Sequence, residues 1–394
     1  MPTTVILGTA RTPFGKMGGS LASQEATDLG GTAIAAALER SEVEPEQVQQ
    51  VVYGQVLQAG QGQIPSRQAQ VKAEIPREVP SETVNKVCAS GMRTIGLIDQ
   101  AVRAGDLEIA VAGGMESMSG APYMLPKARF GFRMGDAKAI DAMTHDGLTN
   151  PFSGKHMMLE ATEVARELEL TRADMDRWAE RSHRLAAEAT DEGRLAEEIV
   201  GVPVKAKKEE KLVEADEAIR PETTVEVLAK LPPMFDDQGT HTAGNSPGVN
   251  DGAGAVVAAS DEWANEQGRD PIASVLSYGT VADDFAYLAR TPAKAAKQAL
   301  DKIGKSPQDV DLWEINEAFA SVAINSVRML DVDEDKVNVN GGAIALGHPI
   351  GASGARIVGA LVHELRRRGG GLGCAAICSG GGQGDAIVLE VNGS

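Results

Sequence analysis

One histidine set among glycines and three thiols dominate the chemistry that this sequence offers. Cys88 stands in Val87-Cys88-Ala89-Ser90-Gly91, at the end of an apolar run and the start of a small-residue helical pattern. A helix N-terminus carries partial positive charge and free N–H groups. There it lowers the pKa of a thiol and offers donors to an oxyanion formed on an acyl adduct. The competing reading is a buried, inert cysteine. His348 lies in Gly347-His348-Pro349-Ile350-Gly351, inside a glycine-rich run that leads into a helix, where it has room to act as base or hydrogen-bond donor. That run fits neither the phosphate-binding loop nor the dinucleotide fingerprint. Cys378 precedes Ser379-Gly380-Gly381-Gly382 at the end of a strand pattern, the place where open α/β sheets bind ligands. Cys374, four residues earlier, is assigned to the core, and no second ligand pair is spaced for zinc. Asn316 ends the apolar run Leu312–Ile315 and can hold a water or a carbonyl, with a turn or helix cap as its bland alternative.

The elements that must position these residues occur twice. Cys88–Arg93 lines up with Gly351–Arg356, and Ala33–Leu38 with Ala295–Leu300, at offsets that agree to one residue. A duplication of that length implies two similar domains. Strands are predicted at Thr3–Leu7, Val51–Val56, Thr83–Val87 and Glu108–Ala112, and again at Ile272–Leu276, Leu312–Ile315, Val337–Val339, Cys374–Cys378 and Ala386–Val391. Helical patterns at Leu29–Arg40, Ala89–Arg103, Pro292–Ile303 and Gly351–Arg368 alternate with them. Such alternation implies α/β layers over mixed, mostly parallel sheets. The expected division is an N-terminal half over 1–117, completed by about 251–268, a loop insertion over 118–250, and a C-terminal half over 269–394. Within the insertion, Thr171-Arg172-Ala173-Asp174 reads as a capping box and Lys205–Lys211 as a charged loop.

Composition narrows the functional classes. The 394 residues carry a formal net charge of −18, which argues against nucleic acid or an anionic membrane as a general partner. No apolar run is long enough for a membrane span, and neither a signal-peptide pattern nor a peroxisomal address is expected. Three cysteines, an odd and low count, point to reduced thiols and a cytoplasmic setting.

Taken together, the segments Val87-Cys88-Ala89-Ser90-Gly91, Asn316-Glu317-Ala318-Phe319, Gly347-His348-Pro349-Ile350-Gly351 and Cys378-Ser379-Gly380-Gly381-Gly382 resemble the thiolase family. So do Ala112–Met118 and Asn250-Asp251-Gly252-Ala253, and the likeness runs from about residue 3 to 391. The resemblance implies two α/β halves with a loop domain and a two-stage acyl transfer. Cys88 is the nucleophile, His348 its base, and Cys378 the base for the α-carbon. A water on Asn316 and His348 hold the enolate, and the N–H groups of Cys88 and Gly380 hold the oxyanion.

The resemblance also implies coenzyme A thioesters as substrates and no tightly bound cofactor or metal. Its coenzyme contacts map onto Leu148, His156, Met157, Arg220, Phe235, Ala243, Gly244, Ala318 and Phe319. His156-Met157 is similar to the short-chain, biosynthetic branch, which acts on acetyl-CoA and acetoacetyl-CoA. Three departures stand out. Asn245-Ser246-Pro247-Gly248 replaces Asn-Ala-Ser-Gly, so Ser246 takes the place of a shifted contact serine. Tyr287–Pro292 replaces a Met-Gly-x-Gly-Pro pattern near the acyl pocket, and Met234 stands for a smaller residue. Ser119–Thr144 resembles a loop that joins dimers into a homotetramer. The alternatives are a broader 3-ketoacyl-CoA thiolase, a ketoacyl-synthase-like condensing enzyme, against which Cys378 speaks, and a non-catalytic acyl-CoA or lipid carrier.

Overall fold

A computed structural model describes residues 2–206 and 209–393. Nine strands form one path: β1 (Thr4–Arg11), β2 (Gln50–Gly54), β3 (Ser81–Val84), β4 (Ile109–Ser117), β5 (Asn250–Ser260), β6 (Ala273–Ala282), β7 (Leu312–Ile315), β8 (Gly370–Ser379) and β9 (Gln383–Asn392). Their spatial order is β7-β8-β9-β6-β1-β5-β4-β2-β3. The first half supplies β3-β2-β4-β5-β1, in which only β5 runs against the rest. The second supplies β7-β8-β9-β6, in which only β9 is reversed. Most strands of a half therefore point one way. The reversed strand sits between two neighbours, so most hydrogen-bonded pairs next to it are antiparallel. The two sheets join where Val5 and Ile6 pair with Ser274 and Ala273.

The segment expected as a strand at Val337–Val339 is not one. Asn338 is left-handed at φ 49°, and its side-chain amide bonds both the N–H and the carbonyl of Ile315 at 2.8 Å. A side chain thus replaces the backbone ladder, and only the Trp313–Val337 bridge remains. The Lys205–Lys211 segment also departs from expectation. Lys207 and Lys208 lie outside the described residues. Their flanks, Val202–Ala206 and Glu209–Val213, pair as a hairpin because Val202, Val204 and Val213 are buried in the core of the first half.

The helices are α1 (Ala26–Arg40), α2 (Pro65–Lys72), α3 (Ser90–Ala104), α4 (Met157–Glu167), α5 (Arg172–Asp191), α6 (Thr291–Asp301), α7 (Ala320–Leu330) and α8 (Ser353–Arg367). The capping box that opens α5 forms as expected, with Thr171 Oγ1 accepting from Asp174 N. α3 and α8 fill the space between the two sheets. Met92, Ile95, Ile98 and Val102 of one, and Ile357, Leu361 and Leu365 of the other, share a cluster with Val256, Ile377 and Leu389 from both sheets. Spacings of three and four residues put each set on one helix face.

The N-termini of these two helices meet through glycine. A Cβ on Gly91 would lie 2.9 Å from the Gly351 carbonyl oxygen, and one on Gly354 would lie 2.3 Å from Met92 N. Both obstacles are backbone, so neither can move aside. Gly354→Val should lower unfolding stability by about 3 kcal/mol or more, the upper range of overpacking penalties. Chemical denaturation would measure this, and an unchanged midpoint would show that the helices can part.

Candidate active site

Cys88 lies beyond its strand and not at its end. β3 stops at Val84, because Asn85 turns the chain: its Oδ1 accepts from Val87 N at 3.0 Å, and Val87 is left-handed at φ 43°. Ser90 then closes the turn, accepting from Lys86 N at 2.8 Å and donating to Val87 O at 2.6 Å. The turn is fastened to the second half. Lys86 Nζ reaches Asp385 at 2.6 Å and Thr280 at 2.7 Å, and the Lys86 carbonyl accepts from Ser379 Oγ. Cys88 and the end of the Cys378 strand are thereby held together.

His348 is placed by a second turn. Gly347 adopts φ 114°, and a Cβ there would strike the Asn250 amide at 2.7 Å. That amide accepts from His348 N at 2.9 Å and donates to Gly15 O. The His348 ring meets Ser353 through Nδ1 at 2.6 Å, and Ser353 Oγ donates to Pro349 O at 3.0 Å. Placing the Ser353 hydroxyl proton on Pro349 O assigns the ring proton to Nδ1. Nε2 is then the basic nitrogen, and it is buried without a hydrogen-bond partner.

The duplication explains why a serine serves here. Ser353 corresponds to Ser90, and Pro349 to Lys86. In the first half the Lys86 N–H occupies the serine oxygen. Proline has no N–H, so the same oxygen is free for the histidine ring. The sequence reading missed this role of Ser353, although the aligned repeat and the proline carried the signal.

Cys378 is the last residue but one of β8 and fully buried, packed in one cluster with Met157, Ala318, Phe319, Leu288 and Ala289. The replaced segment 287–292 thus packs beside this cysteine. Cys374 is buried in the outer core with Trp313 and Val388, as expected. Asn316 follows β7, its N–H bound to Ala376 O, and both polar atoms of its amide are buried and unpartnered. Its neighbour Glu317 accepts from Trp178 Nε1 (2.9 Å), Ser182 Oγ (2.8 Å), Asn338 Nδ2 (3.1 Å) and Ile344 N (3.0 Å). This buried carboxylate ties α5 to the turns that carry Asn316 and lead to His348. Buried unpartnered polar atoms are uncommon in native folds, and a site that receives polar reactants is where they are tolerated.

Burial dominates the electrostatics. It pushes the Cys88 thiol up to about 12, against the N–H groups of Cys88 and Gly380, which face the sulfur and act in the opposite direction. The expected lowering by the helix terminus is therefore outweighed. Burial, with Arg356 nearby, holds His348 down at about 3. Burial raises Cys378 well above a usual thiol, and the Cys88 sulfur adds to the rise. The resting pair is a neutral thiol and a neutral imidazole.

A cavity of about 200 Å³ opens on Cys88 and His348. Leu148, His156, Met157, Phe235, Ala318 and Phe319 line it. His156 caps α4 and stacks on Phe235 with ring centroids 4.6 Å apart. Met118, Met158, Met234, Pro247 and Ile350 complete much of the wall, and apart from Met234 none was singled out as a pocket residue. Arg220, Ala243, Gly244 and Ser246 are not on this wall. Arg220 and Ala243 are exposed, Gly244 is packed under Leu228 and Leu231, and Ser246 is buried with an unpartnered hydroxyl while Pro247 takes the wall position. Asn316 and Cys378 are also off the wall, fully buried.

The family patterns described as "Thiolase, N-terminal domain" and "Thiolase, C-terminal domain" match residues 4–262 and 269–391. Acetyl-CoA acetyltransferase of Cupriavidus necator is 48% identical over 391 residues, covering 99% of this chain and all of that protein. The probable acetyl-CoA acetyltransferase of Mycolicibacterium smegmatis is 47% identical, with 98% of this chain and all of the relative covered. Human mitochondrial 3-ketoacyl-CoA thiolase superposes with a TM-score of 0.96 at 40% identity, and Bacillus anthracis acetyl-CoA acetyltransferase with 0.97 at 37%; each covers 99% of both chains. The chain belongs to the thiolase family and is an acyltransferase.

Ser353→Ala removes the partner of His348 Nδ1. The turnover of the enzyme should fall about 10- to 100-fold, as the loss of ~1–3 kcal/mol from one buried hydrogen bond predicts. Steady-state kinetics would measure it, with the Michaelis constant for acetyl-CoA nearly constant. Unchanged turnover would remove Ser353 from the tautomer assignment.

Proposed function

We propose that this chain catalyses the reversible Claisen condensation of two acetyl-CoA to acetoacetyl-CoA and free coenzyme A. The observation that carries the reading is the Cys88 sulfur, faced by the N–H groups of Cys88 and Gly380 in a cavity it shares with His348. Cys88 loses its proton to His348 Nε2 as its sulfur attacks the thioester carbon. The tetrahedral oxyanion takes the two N–H donors. The carbon–sulfur bond to coenzyme A then breaks, and the leaving sulfur takes the proton from His348.

In the second stage the Cys378 thiol gives its proton to His348 Nε2 and, as the thiolate, takes a proton from the α-carbon of another acetyl-CoA. His348 and a water on Asn316 hold the enolate oxygen. The carbanion attacks the acyl carbon, the carbon–carbon bond forms, and the Cys88 sulfur leaves and takes the proton from His348 Nε2. The order has an electrostatic reason. A Cys88 thiolate opposes ionisation of Cys378, and the thioester that replaces it carries no charge.

Coenzyme A thioesters are the substrates in this reading, with no tightly bound cofactor. The wall formed by Met118, Met157, Met158 and Met234 is adaptable, which supports a second reading as a 3-ketoacyl-CoA thiolase of broader chain length. Segment 118–250 acts as the loop domain. Its exposed Phe130 and Met134, 89% and 98% accessible, support assembly into a homotetramer through the Ser119–Thr144 loop. Among the described residues no helix is long and apolar enough to cross a membrane.

Incubation with acetyl-CoA should add one acetyl group at Cys88, read by mass spectrometry, and Cys88→Ala should abolish it. Cys378→Ala should still be acetylated but should lose deuterium exchange at the α-carbon of acetyl-CoA. An adduct on Cys374, or exchange at the wild-type rate, would contradict these roles. Cleavage rates across 3-ketoacyl-CoA chain lengths distinguish the two readings of substrate range.

Arg220 is exposed, with its backbone N–H on His183 Nδ1, and its side chain is free to meet the phosphates of coenzyme A outside the cavity. Screened contacts of this kind are worth ~0.5–1 kcal/mol. Arg220→Ala should raise the Michaelis constant for coenzyme A about two- to five-fold, flatten its salt dependence and spare turnover. If constant and salt slope both stay put, the phosphates lie elsewhere.

A further inference from the structure

The catalytic steps leave several fully buried carboxylates unused, Glu116 among them. Glu116 lies near the end of β4 and forms no ion pair among the described residues. Its carboxylate accepts from Val56 N at 3.1 Å, Leu57 N at 3.0 Å and Gly351 N at 2.9 Å. The first two donors belong to the turn after β2. The third closes the turn that carries His348. The contact is tight, since a Cβ on Gly351 would lie 2.7 Å from Glu116 Oε2 and 3.1 Å from Gln55 Cα.

We propose that Glu116 is a positioning residue for the acyl-transfer reaction, its carboxylate clamping the His348 turn of the second half onto the first half beside Cys88. Three N–H groups converge on two oxygens, an arrangement that an anion satisfies and a protonated acid does not, because the acid must itself donate. The clamp therefore works when Glu116 is ionised. Burial holds this carboxyl up at about 7 against its three donors, and Asp251 on the paired strand adds to the rise. The turns Gln55–Leu57 and Pro349–Gly351 bring no charged side chain to it. Cys88 and His348 are the titratable groups beyond, and the negative charge of Glu116 opposes ionisation of the Cys88 thiol. Field and clamp thus act in opposite directions on the acylation rate. If the field ruled, the rate would fall as Glu116 ionises. If the clamp rules, it rises.

This inference rests on Cys88 as nucleophile and His348 as its base. The test is the pH dependence of Cys88 acetylation by acetyl-CoA, followed by rapid quench and mass spectrometry, in wild type, E116Q and E116D. The wild-type rate should rise with pH through an ionisation near 7. E116Q keeps the size but turns an amide NH₂ toward backbone donors. It should acylate about ten-fold or more slowly above that pH and lack the limb, with the Michaelis constant for acetyl-CoA nearly unchanged. E116D keeps the charge one methylene short of Gly351, so it should retain the limb with a lower plateau. It carries the test alone if E116Q does not fold. A wild-type plateau and limb in either variant, or a wild-type rate that falls through the same ionisation, would overturn the clamp. Wild-type protein that is not acetylated at Cys88 would overturn the nucleophile assignment instead, so the two failures are distinct.

Discussion

Backbone contact at two glycines decides where the chemistry can occur. Gly91 and Gly354 let the N-termini of α3 and α8 approach until a methyl group would not fit between them. Cys88 and His348 stand just ahead of these two termini. Their meeting is a consequence of a helix crossing, and the crossing exists because the duplicated helices are both buried between the two sheets. Any residue larger than glycine would separate the Cys88 sulfur from the His348 ring.

Once the helices meet, burial sets the proton chemistry. A thiol near 12 and an imidazole near 3 do not exchange a proton at rest. This differs from a preformed thiolate–imidazolium pair, where the helix terminus alone would activate the sulfur. In the proposed reaction the two N–H groups at the sulfur meet the charge that develops during attack, and they are already in place when it appears. The same burial makes Cys378 reluctant to ionise, and a thiolate at Cys88 would add to that reluctance.

The turns that present these groups are short and irregular, and hydrogen-bonded side chains hold them where ladders do not. Asn338 substitutes for a strand beside β7, and Asn250 holds the turn at His348. Glu317 gathers donors from α5 and two catalytic turns, while Glu116 spans the halves. Each is buried; the two carboxylates accept from several donors and the two amides both accept and donate, so each fixes a geometry that backbone pairing alone would leave open.

Much of this was legible in the chain. The repeat, the strand and helix alternation and the four glycine-rich motifs depend on local pattern, and they identified the two halves and Cys88, His348, Cys378, Asn316 and Gly380. The capping box at Thr171 was legible for the same reason, since its partners are three residues apart. Three matters were not. The end of β3 before Cys88 turns on a left-handed valine that propensity does not announce. The joining of the two sheets through β1 and β6 depends on strands about 270 residues apart in the chain. The acidities of Cys88 and His348 depend on how completely distant segments bury them, so a rule based on the helix terminus alone gave the wrong direction for the thiol. Sequence determines which groups are present and which local elements carry them. Tertiary structure alone decides their distance, their solvent exposure and therefore their charge, because each of those is a sum over neighbours that the chain brings from far away.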